Sequence, residues 1–574
     1  MSKRRVGVYI CYCGGNISDY VDVEKVRETV KDEPDVVIAK TTMFTCSDAA
    51  QQEIIEDIQK ESLDGLVVAS CSPKLHLFTF QGTANRAGLN PYQYVQVNLR
   101  EQDSWAHTDD RLGATDKAIH LVRAGIAKAR LTEPLEPFRI DTVPKALVIG
   151  AGIAGLRAAL GLADLGIQVF LVERDSEVGG WAGRLGALYP YRKSGDELIG
   201  ELVEQVKKRD NITLFREAQV VEKAGCIGNF AVKVEIKGKD RLSLNVGAII
   251  VATGFDSYTP KEGEYGSGLD GVLTLSRFRE LLDGSTGKLI HNGKEVKSIA
   301  YIYCVGSMQT PELEDSHLYC SRYCCSAAVH ASLLSLVRDP TLLQYHIYRD
   351  MRTYGKYESL YTEARKKGAL FLKFDPNEPP SVARMNGRLT VRVKDLLTNG
   401  EALEIDADLV VLVTGMVPRQ DNSLVDVLKL PRSRDGFFNE IHPKLRPVET
   451  LIGGVFIAGA CQSPKTSAES VASALAAVAK AAPIMMKGYV ELSPLIVAVD
   501  PERCGWCDLC SQACPYNAID RVSYDSKEIA AVNTALCKGC GACVPVCPVD
   551  ALNVKGYSDS QIKAMIEALA KEAG

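Results

Sequence analysis

The chain has 574 residues, a formal net charge of −5, 46% hydrophobic residues and 24% charged residues. These values are ordinary for a globular protein, and the length predicts about three to four domains. No cluster of lysine and arginine indicates nucleic-acid binding, and no run of about 18 uncharged apolar residues predicts a transmembrane helix.

The N-terminus begins basic, but its apolar stretch is too short for a signal peptide. We therefore expect a cytoplasmic protein. In a long chain without an export signal, 18 cysteines favour metal clusters over disulfides.

Residues 1–137 alternate strand-like and helix-like segments, which predicts an N-terminal α/β domain. Cysteines at the carboxyl ends of parallel strands lie on the functional edge of such a sheet. Four cysteines are candidates for a [4Fe–4S] site there: Cys11, Cys13, Cys46 and Cys71. Their spacing is not diagnostic, so redox-silent cysteines remain the alternative. His76 is interpreted as structural, and Ser47 or Asp48 as the cap of the helix after Cys46.

A proline-rich linker, residues 134–145, leads into a second predicted domain at 144–488. Its first segment, KALVIGAGIAG, runs from a strand through Gly150-x-Gly152-x-x-Gly155 into an apolar helix, and a second strand ends at Glu173. This is the full context of a dinucleotide-binding fold. Gly150 allows the tight turn, Gly152 the approach of a pyrophosphate, and Gly155 the packing of helix on strand. Glu173 can accept hydrogen bonds from a ribose.

Three further segments favour FAD over NAD. They are the loop Gly179-Gly180-Trp181, the strands AIIVATGFD and VVLVTGMVP that end in Thr-Gly, and the strand and helix of GGVFIAGACQSPKTSAES. Together they resemble the thioredoxin-reductase-like flavoproteins. The resemblance implies FAD contacts at Gly150, Gly152, Ala154, Gly155, Glu173, Arg174, Gly180, Trp181, Ala252, Thr253, Gly254, Gly415, Gly459, Ala460, Thr466 and Ser467. That family usually has an acidic residue after the last glycine, where this chain has Ala460 and Cys461.

The segment 298–330 lies where thioredoxin reductases carry a second glycine-rich motif for NADPH. A strand is predicted, but no G-x-G-x-x-G/A follows it. Four cysteines stand within 22 residues instead: Cys304, Cys320, Cys324 and Cys325. They suggest a non-standard [4Fe–4S] site beside the flavin, with a redox-active thiol pair or buried structural cysteines as alternatives. We infer that electrons reach the flavin through clusters and not from NAD(P)H in this domain.

A third predicted domain, 489–574, begins with a linker at 489–501 and contains two runs, CGWCDLCSQACP and CKGCGACVPVCP. Each run reads C-x2-C-x2-C-x3-C-P, the ferredoxin spacing in which the fourth cysteine ligates the other cluster. One [4Fe–4S] cluster is predicted on Cys504, Cys507, Cys510 and Cys547. The second is predicted on Cys537, Cys540, Cys543 and Cys514. A zinc ribbon is the alternative.

Two cysteines remain, Cys226 and Cys461, and are interpreted as small buried hydrophobic residues. The C-terminal segment SDSQIKAMIEALAKEAG predicts an amphipathic helix capped by Ser558 or Asp559. Its apolar face, Ile562, Met565, Ile566 and Leu569, is expected to pack on its own protein, with docking to a partner as the alternative.

The segments C-V-G-S and Y-C-S-R-Y-C-C beside an FAD fold, with C-Y-C-G-G-N, F-T-C-S and S-C-S-P-K-L-H near the N-terminus, resemble the A-type subunits of heterodisulfide reductase. The resemblance covers almost the whole chain. It departs from the longest members, which insert a two-cluster ferredoxin where residues 223–230 of this chain run straight on. His330 stands where relatives have a lysine close to the flavin.

The resemblance implies an α/β fold: a thioredoxin-reductase-like two-dinucleotide-fold flavoprotein, with an N-terminal α/β domain and a C-terminal 2[4Fe–4S] ferredoxin domain. It implies FAD, four [4Fe–4S] clusters, and flavin-centred electron bifurcation between a disulfide-reducing partner and ferredoxin, with no catalytic side chain. The implied partners are heterodisulfide reductase B- and C-type subunits, a hydrogenase or formate dehydrogenase module with an electron-transfer subunit, and ferredoxin, within a dimer of a larger complex.

Two other functions remain open. The protein can be part of a different redox complex, such as a quinone-interacting oxidoreductase or an aromatic-ring reductase. It can also be a simple relay, in which the flavin neither pairs nor splits electrons. A scaffold with vestigial sites is disfavoured by sixteen candidate ligands.

Overall fold

The computed structural model describes residues 4–190, 193–311 and 316–570. The chain divides into two compact units, one of Met1–Ile140 with Glu491–Gly574, the other of Asp141–Val490. The predicted N-terminal and C-terminal domains therefore share one unit, although the whole second unit separates them along the chain.

A four-stranded parallel sheet forms the N-terminal part of the first unit. Its elements are β1 (Val6–Cys11), β2 (Val36–Thr42), β3 (Gly65–Ser70) and β4 (Tyr94–Asn98), with helices α1 (Val23–Val30), α2 (Asp48–Lys60), α3 (Pro73–Arg86) and α4 (Arg111–Ala129). The strand order is β2-β1-β3-β4, and β1 and β3 are buried throughout, as expected of central parallel strands covered on both faces. Ser47 accepts a hydrogen bond from the Ala50 amide and caps α2, as predicted.

The second unit contains most of the strands. After β5 (Phe138–Asp141) at the join come β6 (Lys145–Ile149), β7 (Gln168–Val172), β8 (Ile212–Phe215), β9 (Ala218–Cys226), β10 (Asn229–Ile236), β11 (Leu242–Val246), β12 (Ala248–Val251), β13 (Asp256–Ser257), β14 (Val272–Thr274), β15 (Ile290–His291), β16 (Lys294–Glu295), β17 (Ser298–Val305), β18 (Leu343–Tyr348), β19 (Leu370–Lys373), β20 (Ser381–Met385), β21 (Arg388–Asp395), β22 (Glu401–Ala407), β23 (Leu409–Thr414), β24 (Met416–Val417) and β25 (Val455–Ile457). Its helices are α5 (Ile153–Asp164), α6 (Gly195–Lys207), α7 (Leu275–Asp283), α8 (Cys324–Arg338), α9 (Glu358–Lys366), α10 (Ser423–Leu428) and α11 (Ser467–Met486).

Two five-stranded parallel sheets organise this unit. The first has the order β25-β12-β6-β7-β8 and the second β14-β23-β17-β18-β19. Each is accompanied by a three-stranded antiparallel sheet, β11-β10-β9 and β20-β21-β22 respectively. The core of the first half lies between its sheet and helices α5, α6 and α11. This repeated arrangement is the two-dinucleotide fold that the sequence predicts.

Among the described residues, one helix, α11, is long and apolar enough to cross a membrane. It carries Glu469 and Lys480. Its residues Ala474, Ala477 and Ala481 are buried in the same core as α5. Internal packing therefore accounts for the apolar composition of α11, and the absence of a transmembrane segment stays a prediction.

The C-terminal part of the first unit contains short elements. They are β26 (Tyr489–Leu492), β27 (Val497–Val499), β28 (Ile519–Tyr524), β29 (Lys527–Val532) and β30 (Leu552–Val554), with α12 (Leu509–Gln512) and α13 (Asp559–Leu569). Strand β27 pairs antiparallel with β30, and β28 with β29. The two antiparallel pairs contribute to a small core that includes Cys510 and Cys543.

Helix α13 packs on α4 of the same unit, but not through the predicted apolar face. Ser558 caps it in a capping box with Gln561, whose side chain also donates to the Leu131 carbonyl at 2.8 Å. Gln561 and Ala568 are the buried residues, whereas Ile562, Ile566 and Leu569 are exposed. The helix therefore packs on its own protein as predicted, but the predicted apolar face is wrong for Ile562, Ile566 and Leu569, because Gln561 and Ala568 occupy the buried positions.

Candidate functional site

A cavity of about 1130 Å³ is lined by residues of both halves of the second unit. This volume exceeds the roughly 300–1,000 Å³ that is typical of small-ligand pockets, so the cavity has room for a dinucleotide. Most of the predicted FAD residues line it, namely Gly150, Gly152, Ala154, Glu173, Arg174, Gly180, Trp181, Ala252, Thr253, Gly254, Ala460, Thr466 and Ser467. The donor set and the volume fit FAD.

The glycine turn between β6 and α5 has the geometry that a pyrophosphate needs. Gly150 has a φ of +101°, and a Cβ on Gly155 would lie 1.7 Å from the Gly150 carbonyl oxygen. A Cβ on Gly152 would meet no heavy atom of the described chain within 4 Å, because it would point into the cavity. The first backbone N–H groups of α5 therefore face open space, where an anion can accept hydrogen bonds from them.

The Glu173 carboxylate is fixed at the end of β7. Its Oε2 accepts a hydrogen bond from the Ala151 amide at 2.7 Å, and its Oε1 accepts one from the Asp175 amide at 3.1 Å. Each oxygen keeps a second lone pair for a ribose hydroxyl. The predicted role of Glu173 therefore agrees with its position beside the glycine turn.

The three remaining predicted residues are packing glycines behind the cavity lining. Gly155 lies against Gly150, and a Cβ on Gly459 would lie 2.8 Å from the Ala154 Cβ. A Cβ on Gly415 would lie 2.6 Å from the Ser321 Oγ. Gly459 thus allows the last strand to approach α5, and Gly415 allows the cysteine-bearing loop to close over β23.

An aromatic row, which the sequence did not reveal, connects the cavity with the cysteines of this unit. Trp181 donates its indole N–H to the Phe255 carbonyl at 3.1 Å and stacks on the Phe255 ring with 5.8 Å between centroids. The Tyr323 ring lies 6.4 Å from that of Phe255, and Tyr323 precedes Cys324. All three rings line the cavity. Trp181 was predicted to contact the cofactor, but Phe255 and Tyr323 were not. The sequence indicates these two only by their place beside motifs: Phe255 follows A-T-G and Tyr323 precedes C-C.

His330 also lines the cavity, from α8, the helix that begins with Cys324. The Tyr189 ring lies 5.9 Å from it. Burial is the main cause that lowers the pKa of His330 to about 4; Arg279 acts in the same direction, and Asp283 opposes it. The His330 side chain is therefore neutral at physiological pH. The lysine that relatives have at this position has a much higher ordinary pKa, at which the side chain is charged in water.

The four cysteines of the second half converge at the end of β17. Cys304 has a φ of +62° and lies at an irregularity in the pairing of β17 with β23, and such bulges re-aim side chains. Burial is the main cause that raises the pKa of Cys304 to about 12; Cys325 and Cys320 act in the same direction, and Arg349 and Arg352 oppose it. A hydrogen bond with Cys325 raises the pKa of Cys324, as do burial, Cys304 and Cys320. Four mutually influencing thiols fit one [4Fe–4S] cluster, whose binding would displace the thiol protons.

The cysteine loop is tied to the N-terminus of α11. Arg322 donates to the Glu469 carboxylate, and the Tyr354 hydroxyl donates to the same oxygen at 3.3 Å. Glu469 also completes the capping box of α11 with Thr466. The loop that carries Cys320 and Cys324 is thus connected directly to the helix whose first residues line the cavity.

The four N-terminal cysteines lie together at the carboxyl ends of three neighbouring strands, β2, β1 and β3. Burial raises the pKa of Cys46 and raises that of Cys71 to about 11, and in both cases Cys11 and Cys13 add to the increase. The Arg100 guanidinium donates to the Cys13 Sγ at 3.5 Å. Converging thiols with a cation beside them fit an anionic [4Fe–4S] cluster.

His76 lies outside this group of contacts, and its Nδ1 is 3.3 Å from the Thr79 hydroxyl.

The crossed arrangement of the C-terminal cysteines is supported for one of the two predicted clusters. Burial is the main cause that raises the pKa of Cys543 to about 11, and Cys537, Cys510 and Cys514 act in the same direction. One small cavity is lined by the whole predicted second set: Cys514, Cys537, Cys540 and Cys543. The pKa of Cys510 is raised by burial and by Cys507 and Cys504 of its own run. Cys514 therefore shares a cavity with the other run, which supports the predicted second set, and the place of Cys547 in the first set stays a prediction.

Backbone amides donate to the sulfurs of this region, with Ala518 to Cys514 at 3.3 Å, Ala530 to Cys504 at 3.4 Å and Ala551 to Cys547 at 3.3 Å. Such N–H···S bonds stabilise thiolates and raise cluster potentials. Over residues 4–190, 193–311 and 316–570, no group of three or more His, Cys, Asp or Glu side chains could hold a metal ion. The four-cysteine sets therefore stay predictions of ligands for the larger [4Fe–4S] clusters.

The two leftover cysteines differ from each other. Cys461 is 4% exposed, as predicted for a small buried residue, and its Sγ lies 3.3 Å from the Val251 carbonyl oxygen. It lines the FAD cavity. Cys226 is only partly buried at the end of β9, so the prediction of burial is wrong for it.

Family models of known proteins match the two cofactor regions. A model described as "4Fe-4S dicluster domain" matches residues 497–554, and one described as "Pyridine nucleotide-disulphide oxidoreductase" matches residues 144–300. Among solved structures, thioredoxin reductase of T. acidophilum aligns with a TM-score of 0.42 at 17% identity, covering 60% of this chain and 97% of that one.

Similarity to curated proteins extends over almost the whole chain. The second iron–sulfur A-type subunit of CoB–CoM heterodisulfide reductase from Methanopyrus kandleri is 38% identical, covering 91% of this chain and 92% of that protein. The A-type subunit of the H2:CoB–CoM heterodisulfide,ferredoxin reductase of Methanothermobacter thermautotrophicus is 37% identical, with 90% and 91% covered. The A-type subunit of the ferredoxin/F420H2-dependent CoB–CoM heterodisulfide reductase of Methanosarcina acetivorans is 33% identical, with 91% and 76% covered.

Proposed function

Because this protein belongs to the family of heterodisulfide reductase A-type subunits, we propose that it is the electron-bifurcating hub of a heterodisulfide reductase-type complex. The chain is an FAD and iron–sulfur oxidoreductase subunit. Bound FAD supplies the exchange between electron pairs and single electrons. The protein contributes the binding, orientation and electrostatics of the cofactors.

The observation that carries this proposal is the replacement of the second nucleotide motif by cysteines. Cys324 and Cys325 begin α8, and Ser326, Ala327 and His330 of the same helix line the FAD cavity. One-electron carriers would therefore stand where a thioredoxin-reductase-like enzyme binds a two-electron donor. Tyr323 and the Arg322–Glu469 ion pair keep this cysteine loop against the cavity.

We assign four clusters to the chain. Two lie in the ferredoxin region, one beside the flavin cavity and one at the edge of the N-terminal sheet, on the cysteines described above. No side chain of the described cavity is needed as a nucleophile or general base, because the bond-making partner would be another polypeptide.

The partners follow from the relatives. Their names describe a heterodisulfide, ferredoxin, H2 and formate as reactants of the complexes. We therefore assign the disulfide-reducing side to B- and C-type subunits of heterodisulfide reductase, and the donor side to a hydrogenase or formate dehydrogenase module. Ferredoxin is assigned as the low-potential acceptor. A dimer within such a complex follows the same family pattern.

Cofactor content is the first test. Anaerobic purification of the full chain should give about sixteen iron atoms, an equal amount of acid-labile sulfide and one FAD. About twelve iron atoms would remove one of the two clusters outside the ferredoxin region. About eight, with flavin retained, would leave a flavoprotein fused to a ferredoxin and would contradict the proposal.

Flavin potentials distinguish bifurcation from a simple relay. In an anaerobic potentiometric titration, a bifurcating flavin should be reduced in a single two-electron step. Two well-separated one-electron steps would instead assign the chain to a non-bifurcating relay, such as a component of a quinone-interacting or aromatic-ring reductase.

A further inference from the structure

Arg419 lies on the segment that follows β24 and leads into α10, and it lines the FAD cavity together with Arg174. Its Nε donates to the Thr253 carbonyl at 2.6 Å, which places the guanidinium beside the A-T-G strand end. Arg432 donates to the Arg419 carbonyl at 2.9 Å and so fixes the backbone of this segment. Two cations, Arg174 and Arg419, therefore line the FAD cavity.

The Arg419 guanidinium is not fully satisfied by the described chain. Its Nη1 is buried and finds no hydrogen-bond partner among the described residues. The nearest acid, Asp256, has its Oδ1 3.8 Å from this nitrogen, beyond hydrogen-bond distance. Leaving a buried charged donor unpaired is costly, and native structures rarely do so without a ligand or water in place.

The Arg419 guanidinium has charged neighbours of both signs: Asp256, its ion-pair partner at 3.8 Å, and the cation Arg174. Burial lowers the pKa of Arg419, and Arg174 lowers it further, while Asp256, Glu173 and Asp175 act in the opposite direction. The carboxylate of Glu173 already accepts two backbone amides, and Arg174 is 3.6 Å from Asp175. A dianion placed between the two arginines would relieve their repulsion and occupy the unpaired donor.

We infer that Arg419 binds the diphosphate of the dinucleotide that the glycine turn holds, and that it joins the segment after β24 to the cofactor. A guanidinium presents its N–H groups as a planar fork that matches phosphate oxygens, so arginine suits this position better than lysine. Arg419 is a binding and positioning residue in this assignment and takes no part in electron transfer. The inference rests on FAD binding but not on bifurcation.

The test is a binding measurement on the full-length chain, purified anaerobically and freed of flavin. Calorimetric titrations with FAD, ADP and adenosine compare the wild type with Arg419→Met. We expect FAD and ADP to bind about 10- to 100-fold more weakly to the variant, the effect of one lost charged hydrogen bond. Adenosine should bind with nearly unchanged affinity. Arg419→Lys, which keeps the charge but loses the fork, should fall between the two.

Two controls separate a phosphate contact from a structural role. Arg388→Met removes an arginine from β21 that is 71% exposed in its side chain, and it should leave all three affinities unchanged. The flavin-free Arg419→Met chain should melt no earlier than the flavin-free wild type, because removal of the buried Nη1 donor that has no partner in the described chain offsets the loss of the hydrogen bond to the Thr253 carbonyl. Its melting temperature should then rise less on addition of FAD.

Three results would overturn the inference. Unchanged ADP affinity in Arg419→Met would remove the phosphate contact. An equal loss for ADP and adenosine would place Arg419 on the nucleoside instead. Earlier melting of the flavin-free variant, by as much as its loss of ligand affinity, would make the role structural. Because none of these titrations involves electron transfer, they are independent of the bifurcation test.

Discussion

Gly152→Ala should separate folding from cofactor binding in this protein. Gly152 has ordinary backbone angles, φ −76° and ψ −176°, which alanine adopts without strain. Its Cβ would meet no heavy atom of the described chain within 4 Å. The flavin-free variant should therefore be as stable as the wild type, or more stable by about 0.4–1 kcal/mol, since alanine restricts the unfolded chain.

The same methyl group should strongly weaken FAD binding. It would occupy the place where a pyrophosphate reaches the first N–H groups of α5. Losing two charge-assisted hydrogen bonds there costs about 3–6 kcal/mol, or roughly 100- to 10,000-fold in affinity. Fluorescence titration with FAD measures this loss, and thermal unfolding of the flavin-free chain measures stability.

Gly155→Ala is the matched comparison, three residues along the same turn. Its Cβ would lie 1.7 Å from the Gly150 carbonyl oxygen, a backbone atom that cannot rotate away. This variant should lose several kcal/mol of folding stability even without flavin, more than the about 1–3 kcal/mol typical of overpacking. If Gly152→Ala bound FAD normally, or if it destabilised the flavin-free chain as much as Gly155→Ala, the assignment of the open space above Gly152 to the pyrophosphate would be refuted.

Three further predictions concern the clusters and a buried carboxyl. Combining Cys514→Ser with Cys537→Ser should remove no more iron than either change alone, because the two cysteines are assigned to one cluster. Combining Cys514→Ser with Cys504→Ser should instead damage both clusters of the ferredoxin region. Iron analysis of the paired variants tests this prediction. Arg100→Met should keep the iron but lower the reduction potential of the N-terminal cluster by on the order of 60 mV, since about 1.4 kcal/mol of charge stabilisation is lost. A redox titration followed by electron paramagnetic resonance measures this potential. An unchanged potential would contradict the prediction. Burial raises the pKa of Asp103 to about 6, and neither of its oxygens has a hydrogen-bond partner in the described chain. The folded state thus holds the proton more tightly than the unfolded chain, so the free energy of unfolding falls as the pH rises through this range. Asp103→Asn removes this loss, so the variant should be more stable than the wild type by about 1 kcal/mol more at pH 8 than at pH 5. Thermal melts at the two pH values measure the difference, and an equal gain at both would contradict the raised pKa.

Motifs with fixed spacing allowed the fold to be predicted from sequence. The glycine turn, the strand ending at Glu173 and the ferredoxin runs each require a set number of residues between functional atoms, so the spacing is itself geometric information. The family resemblance and the α/β flavoprotein fold with its C-terminal cluster domain are confirmed by the comparisons. The site residues and the number of clusters stay predictions that the geometry supports.

Features that depend on distant packing could not be predicted. Arg419 follows a short strand far along the chain from Gly150, and no motif marks it as a cavity residue. The orientation of α13 was predicted wrongly because the periodicity of Ile562 and Ile566 shows an apolar face but not which neighbour is present. Burial of Gln561 is favourable only because the Leu131 carbonyl accepts its hydrogen bond, a contact between residues 430 positions apart.

The cysteine loop keeps the electrostatics of a nucleotide-binding fold while changing its ligand. In such folds the helix after the first strand points its N-terminus at a pyrophosphate, whose negative charge the helix dipole stabilises. Here the helix after β17 is α8, and its first two residues are Cys324 and Cys325. A thiolate in the first turn of a helix is stabilised by the same dipole. A cluster held there would gain negative charge on reduction at the positive end of α8, so this position favours its reduction and makes it a suitable one-electron acceptor beside the flavin cavity.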